Sequence, residues 1–500
     1  MDSKFEMVAK TFRGLEDVLA DELRALGAGD VTPGNRMVGF TGDLAMLYKA
    51  NFCCRTALRI LKPFFKFKAS DPEELYAKVK TFDWSSLMTA NQTFAIDSVV
   101  FSEDFRNSQF VTYRVKDGIV DWFRDHEEDE RRPRVRLDGA DIMFNVHISG
   151  RDVILSLDSS GESLHKRGWR VAQNDAPISE VLAAGIIMMS GWNGQTPFVD
   201  PMCGSGTFLM EAAMIAANIY PGVYRKHFAF ENWPDFDAEL LESIYNDDSA
   251  EREVTVPILG ADISPRAVEI TRQNARNAGL ERYITLEQRS ISQWNPSQVP
   301  SPAGVLVTNP PYGKRITADD MNALYSSIGT TLKHVFKNYH AWIIGYEDEY
   351  FHEIGLAPSQ KVSLNNGGLE CELREYVIFE GSKRDFRSGG GKIKDENRPD
   401  RKKERRPARP ASRDSRDSRP ARGNDQRRQR PADRRDAAAP AGERRRPARP
   451  SAEEAGAEKN SRRPLDLKRL GRTPSISADK EIIINRPSWR KRRKDQENDQ

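Results

Sequence analysis

The chain has 500 residues, of which 77 are Lys or Arg and 74 are Asp or Glu, for a formal net charge of +3. That length suits two to three domains. Its 4 cysteines show no metal-ligand spacing, no apolar run is long enough to span a bilayer, and Asp2, Lys4 and Glu6 interrupt the start; a disulfide scaffold, a metal module, a membrane span and a signal peptide are all disfavoured, and a cytoplasmic protein is expected.

The first third alternates short strands and helices. Phe5 to Ala9 reads as a strand, Gly14 to Leu26 as an amphipathic helix, Val38 to Phe40 as a returning strand and Asp43 to Cys53 as the next helix. Phe94 to Val99 and Arg151 to Asp158 are further strands. Between them Ser108 to Phe123 fits a helix whose start carries Arg106, Asn107, Ser108 and Gln109, with Arg114 and Lys116 beyond. Basic and amide groups at a helix start suit phosphate contacts, although the same charges also fit a solvated helix face. Adjacent Cys53 and Cys54 read as packing residues and not as a redox pair.

From about Leu164 the alternation becomes that of a doubly wound α/β domain. Val181 to Met189 is a buried helix candidate. Thr196 to Val199 is a strand, Asp200 to Thr207 a tight turn, and Phe208 to Ile219 a helix. Gly204 and Gly206 let backbone approach a ligand, and the helix after them presents free N–H groups. A polar, aromatic stretch from Tyr220 to Arg252 reads as an insertion. Pro257 to Ala261 is a second strand, ending at Asp262, a carboxylate suited to the two hydroxyls of a ribose, and a helix starts near Ser264-Pro265. A third glycine is missing after Gly206, and Asp262 lies far beyond the roughly 20 residues of a nicotinamide-binding unit, which disfavours a dehydrogenase.

A third strand, Val305 to Val307, leads into Asn309-Pro310-Pro311-Tyr312. The amide oxygen of Asn309 and the carbonyl of Pro310 can both accept hydrogen bonds from an NH2 group, and Tyr312 offers a ring on which a flipped base stacks. From residue 381 onward the composition changes to Arg/Lys clusters among Pro, Ala and Ser. Residues 381–500 hold 38 basic and 20 acidic side chains, net +18, against 39 and 54, net −15, before them. Such a tail buries too little to offset chain entropy and is expected to be disordered; it could bind RNA through counterion release.

Five stretches in fixed order, Leu164 to Arg170, Ala176 to Glu180, Asp200 to Thr207, Thr308 to Gly313 and Asn366 to Cys371, resemble those of the THUMP-containing 23S rRNA guanine-N2 methyltransferases, which are class I S-adenosylmethionine enzymes. The string Arg106 to Gln109, followed by Val115 to Asp121, is similar to their RNA-binding THUMP domain. The resemblance implies a Rossmann-like seven-stranded domain at 162–380, behind a ferredoxin-like segment at 1–50 and a THUMP domain at 51–161, with the tail at 381–500. It implies S-adenosyl-L-methionine as cofactor, held by Asp200, Met202, Gly204, Ser205, Gly206 and Thr207 at its amino-acid end and by Asp262 at its ribose, with Pro177 and Glu180 covering the pocket. Asn309, Pro310, Pro311 and Tyr312 would grip the target base. Where relatives place an aspartate against the adenine, this chain has Ser290. Arg106, Asn107, Ser108, Gln109 and Lys116, with His165, Lys166 and Arg167 of the basic motif, are the implied RNA contacts, and RNA of the large subunit or its precursor is the implied partner. Some relatives carry a second methyltransferase domain, whose activity is expected to be missing here. An N6-adenine DNA methyltransferase, a glutamine-N5 protein methyltransferase and a noncatalytic RNA chaperone stay open as alternatives.

Overall fold

The computed structural model describes residues 4–174, 177–311, 317–346, 348–381, 386 and 388. Tyr312 and the tail from 389 lie outside the described residues. The front half contains β1 (Phe5–Lys10), α1 (Glu16–Ala25), β2 (Gly29–Pro33), β3 (Met37–Gly42), α2 (Leu44–Cys53), β4 (Arg59–Lys68), α3 (Pro72–Val79), β5 (Thr93–Phe101), α4 (Ser108–His126), β6 (Arg134–Val135), β7 (Ile142–Ser149) and β8 (Asp152–Asp158). Their strands form one eight-stranded sheet in the order β2-β3-β1-β4-β8-β7-β5-β6. The pairing of β4 with β8 is what joins the two front segments into a single sheet. Cys53 and Cys54, at the end of α2, are buried free thiols; burial pushes Cys53 up to about 12, so it packs and does not react.

The second half contains α5 (Glu180–Met189), β9 (Phe198–Asp200), α6 (Thr207–Ala217), α7 (Ala238–Tyr245), β10 (Ile258–Asp262), α8 (Pro265–Asn277), β11 (Ile284–Gln288), β12 (Val305–Thr308), α9 (Ala318–His334), β13 (His340–Gly345), α10 (Asp348–Glu353), β14 (Gln360–Asn366) and β15 (Leu369–Val377). A seven-stranded sheet runs β11-β10-β9-β12-β13-β15-β14, parallel from β11 through β13 and closed by the antiparallel β15 and β14. This is the Rossmann-like order, with its reversal point between β9 and β12.

Local chemistry accounts for the element starts. Asp43, Asn107, Ser264 and Thr317 each cap a helix by accepting a backbone N–H two or three residues on, the interaction that satisfies otherwise orphaned donors. Strand β4 departs from simple sequence reading because Pro63 sits inside it. The structure absorbs this proline at a register shift between Pro63 and Phe65, where the missing N–H leaves no gap in the ladder.

A buried polar seam ties the halves together. Arg55, between α2 and β4, donates from Nη1 to Ile219 O at 2.9 Å, and its own N–H is accepted by Glu22 Oε1 at 2.7 Å. Arg167 donates to Arg55 O and lies with its Nε 3.3 Å from Glu211 Oε1 on α6. The stretch 220–252 packs against α2. Phe230 stacks on Tyr48 of α2 with ring centres 4.2 Å apart, and Tyr48 OH accepts from Asp237 N at 2.9 Å.

Candidate active site

At the reversal point, where open α/β sheets hold ligands, a cleft of about 640 Å3 opens at the carboxyl ends of the strands. Its walls include Pro177 and Ile178 before α5, the turn after β9, Asp262, Arg289 and Ser290 after β11, and Asn309 to Pro311 after β12.

The turn after β9 is shaped by two glycines with φ of +57° at Gly204 and +82° at Gly206, backbone that costs an ordinary side chain about 1–2 kcal/mol. A Cβ on Gly206 would stand 2.5 Å from Thr271 Cγ2, whereas one on Gly204 would meet nothing nearer than Asn174 Nδ2 at 3.7 Å. Gly206 therefore lets α8 close on the turn, and Gly204 keeps the cleft floor clear. The turn is held from behind. Arg170 donates to Ser205 Oγ and Thr207 Oγ1, both at 2.9 Å, and its Nη2 lies 2.7 Å from Glu180 Oε1. Fully buried Asn274 on α8 donates to Ser205 O at 3.0 Å and accepts from Val171 N at 3.0 Å, and Thr271 Oγ1 donates to Gly204 O at 2.9 Å. Glu180 and Gly206 thus stand outside the cleft wall. Glu180 is spent on Arg170, and Gly206 on the approach of α8.

Two carboxylates flank the turn in different states. Asp262 accepts from Gly204 N and Ser264 N, one on each oxygen at 2.9 Å, and each oxygen keeps a further lone pair. Asp200 is 1% exposed. It accepts from Met202 N at 3.3 Å and from Thr308 Oγ1 at 2.9 Å. Burial pushes its carboxyl up to about 7, against the pull of those two hydrogen bonds and with a further push from the Asp262 charge.

On the opposite wall the Asn309 side chain places Oδ1 out of contact with water and without a hydrogen-bond partner. A buried acceptor left so costs about 1–3 kcal/mol, a cost recovered when a ligand brings an N–H donor. Ser290 lines the cleft with its Oγ 3.2 Å from Ser292 Oγ. Arg289 beside it stacks over the Trp294 ring at 4.8 Å and has Nη1 buried without a partner. Among the described residues no group of three His, Cys, Asp or Glu is placed to hold a metal ion.

Comparison with known proteins places this geometry. Residues 6–61 match the RlmL ferredoxin-like domain, residues 69–158 the THUMP domain, and residues 167–375 the RMKL-like methyltransferase domain. The Synechocystis protein slr0064, named as an RNA methyltransferase, is 37% identical over 374 residues, which cover 74% of this chain and 96% of that one. The chain belongs to this THUMP-containing RNA methyltransferase family. The ribosomal RNA large subunit methyltransferase K/L of Syntrophotalea carbinolica is also 37% identical, over 76% of this chain but only 54% of its own length. The solved methyltransferase SMU.472, complexed with SAH, superposes with a TM-score of 0.68 at 32% identity, covering 76% of this chain and all of that one. A Listeria monocytogenes structure described as a predicted N6-adenine-specific DNA methylase gives 0.67 at 29% identity, over 75% of this chain and 97% of its own.

In this family member the residues expected to meet RNA divide by burial. Arg106, Asn107, Ser108 and Gln109 are exposed at the start of α4, with Asn107 Oδ1 occupied as the cap. Phe110 and Tyr113 on the same helix end are 48% and 50% exposed, a pair of rings the sequence reading passed over because their spacing is that of ordinary helix packing. Lys116 Nζ lies 2.6 Å from Asp117 Oδ1. Lys166 is exposed and pairs with Glu162 at 2.7 Å. His165 is half-buried with Nδ1 2.8 Å from Ser163 Oγ, and burial lowers its pKa, keeping it neutral near pH 7. Arg167, 2% exposed, is inside the seam described above, so its guanidinium faces protein and no surface ligand. Arg170, Thr271 and Asn274 were missed, since each acts through a partner distant in sequence; Arg289 was missed although its partners Glu287 and Trp294 lie close by in the chain.

Proposed function

We propose that this chain transfers a methyl group from S-adenosylmethionine to an exocyclic amine of an RNA base, guanine N2 of large-subunit ribosomal RNA foremost, in the cytoplasm. The observation that carries the proposal is the buried, partnerless Asn309 Oδ1 at the end of β12, in the wall of the cleft. When bound, the cofactor supplies a methyl group already activated on a sulfonium. The residues present fit it. The Gly204 turn leaves room for close backbone approach, Asp262 keeps acceptor capacity for ribose hydroxyls, and Ser290 in the cleft wall is the candidate hydrogen-bonding partner of the adenine.

The chain's own task is positioning. An amine conjugated with an aromatic ring is a poor nucleophile until its nitrogen pyramidalises and its lone pair is withdrawn from the ring π system. Asn309 Oδ1 and the Pro310 carbonyl, each accepting one amine hydrogen, favour that rehybridisation and aim the nitrogen along the line of attack. Being neutral, Asn309 costs less to desolvate than a carboxylate would, and the proton that the amine sheds as the N–C bond replaces the S–C bond passes to water. Tyr312, as the stacking platform for the flipped base, completes the proposed site. The exposed start of α4, with Arg106, Asn107, Ser108, Gln109, Phe110 and Tyr113, would hold RNA phosphate and unpaired bases.

One structural relative is described as an N6-adenine DNA methylase, whose acceptor is also a planar amine. The THUMP match at residues 69–158 favours RNA. The test is incubation with labelled cofactor and, in turn, undermethylated large-subunit rRNA, DNA and protein, followed by mass-spectrometric mapping of the product. Label on guanine N2 of the rRNA is expected; label only on DNA adenine or protein glutamine would overturn the proposal.

A further inference from the structure

A second cleft, of about 350 Å3, opens on the same edge of the seven-stranded sheet, walled by Arg13, Tyr346, Asn365 and Glu370 among others. It lies between the front and catalytic halves. The loop after β1 is pressed onto β14 so closely that a Cβ on Gly14 would fall 2.8 Å from Leu364 Cδ2 and 2.9 Å from Ser363 O. Nothing in the methyl-transfer reading uses this cleft, although the Asn366 to Cys371 motif forms one of its sides.

Its position relates it to the reaction. Tyr346 follows β13 as Asn309 follows β12, and the two strands are adjacent and parallel, Thr308 lying beside Ile343. Strands β15 and β14 come next. With neighbouring strands about 4.8 Å apart, the cleft sits two or three spacings from Asn309, roughly 10–15 Å away. A few nucleotides of single strand cover that distance.

Its chemistry is specific. The Tyr346 ring is 44% exposed and offers a stacking face. Asn365 and Glu370 are directly opposed across the β14–β15 hairpin, so their side chains share one face. Asn365 Oδ1 is taken by Gly368 N at 3.1 Å, which fixes the amide with Nδ2 as the free donor. The exposed Glu370 carboxylate supplies two acceptors. A carboxylate beside an amide donor complements the N1–H, N2–H and O6 edge of guanine. Adenine, cytosine and uracil each present the wrong group at one of those places. Arg13, exposed on the opposite lip, is placed for a phosphate.

Resting on the reading of RNA as substrate, we infer that this cleft is a guanine-binding subsite that holds a nucleotide a few positions from the methylated base. It splays the strand between the two clefts and sets the register in which the target enters.

The experiment uses the full chain with large-subunit rRNA. Tyr346→Ala should raise KM for RNA about tenfold, the worth of one stacked base, while kcat and calorimetric affinity for S-adenosylhomocysteine stay within twofold. Ultraviolet crosslinking should join the Tyr346 peptide to a guanosine within a few nucleotides of the methylated one. Inosine at that guanosine, which lacks the N2 amine, should weaken binding to the native protein several-fold and leave Glu370→Ala unaffected. An unchanged KM in both Tyr346→Ala and Arg13→Glu, or no discrimination against inosine, overturns the subsite while leaving the RNA reading intact. Methylation of DNA or protein in place of RNA overturns both.

Discussion

Two turns leave neighbouring strands of the same sheet and face each other across one cleft, yet they are built on opposite plans. After β9 the polar side chains of Ser205 and Thr207 and the Gly204 and Ser205 carbonyls are engaged by Arg170, Thr271 and Asn274. After β12 Asn309 keeps a buried oxygen with no partner. A satisfied loop is stiff and presents a shape, whereas an unsatisfied acceptor is strained until something donates to it. The contrast separates holding from reacting. Among the described residues Thr308 crosses between them, donating to Asp200.

Breaking each side in turn should give separable losses. Asn309→Ala is expected to lower kcat by about a thousandfold, in the range of removing one preorganised polar contact to the transition state, with affinity for S-adenosylhomocysteine changed only a few-fold by calorimetry. Equal loss of both would mean that Asn309 serves the cofactor. Gly206→Ala should do the reverse, lowering cofactor affinity at least tenfold and the melting temperature by several degrees, because its φ of +82° and the 2.5 Å approach to Thr271 act together. Gly204→Ala, which has only its φ of +57° to resist and open space around it, should cost visibly less in melting temperature.

The bridge between the turns has its own signature. Because burial lifts Asp200 to about 7, the folded protein holds a proton there that the unfolded chain releases above about pH 4. Its contribution to stability is therefore complete below about pH 4 and is lost as pH climbs through 7. Asp200→Asn should flatten that part of the melting-temperature profile; an unaltered slope between pH 5 and 8 would assign it to the other buried carboxylates. The smallest effect on either turn should come from removing residues 389–500. Chemistry and cofactor binding should persist, while RNA affinity falls and its dependence on salt becomes shallower. An inert but folded truncated enzyme would give the tail a part in the reaction.

Both turns could be read from sequence because their chemistry is local. Gly204, Gly206 and Asn309 announce backbone freedom and hydrogen-bonding character within a few residues, and the helices α4 and α8 carry capping and apolar spacing in the chain itself. What could not be read was long-range. Arg167 looked like a surface cation in a basic motif, and only the fold shows α6 bringing Glu211 to it. Glu180 looked like a cover for the pocket until Arg170 claimed it. Asn274 is one polar residue in an amphipathic helix, distinguished only by what α8 packs against. Strand β4 was hidden by Pro63, a residue more at home in turns and edges, whereas β7, which alternates Phe144, Asn145, Val146, His147, Ile148 and Ser149, carried a local strand signal that went unread.

The buried joint of Arg55, Arg167 and Glu211 bears on how a target is chosen. Two bodies connected by a supple hinge can reach many nucleotides, but these are riveted by charges sealed away from solvent, and the gap separating α4 from Asn309 is fixed when the chain folds. If α4 grips the RNA as proposed, the enzyme works as a caliper: the base it modifies is the one lying at the right measured length from the gripped element.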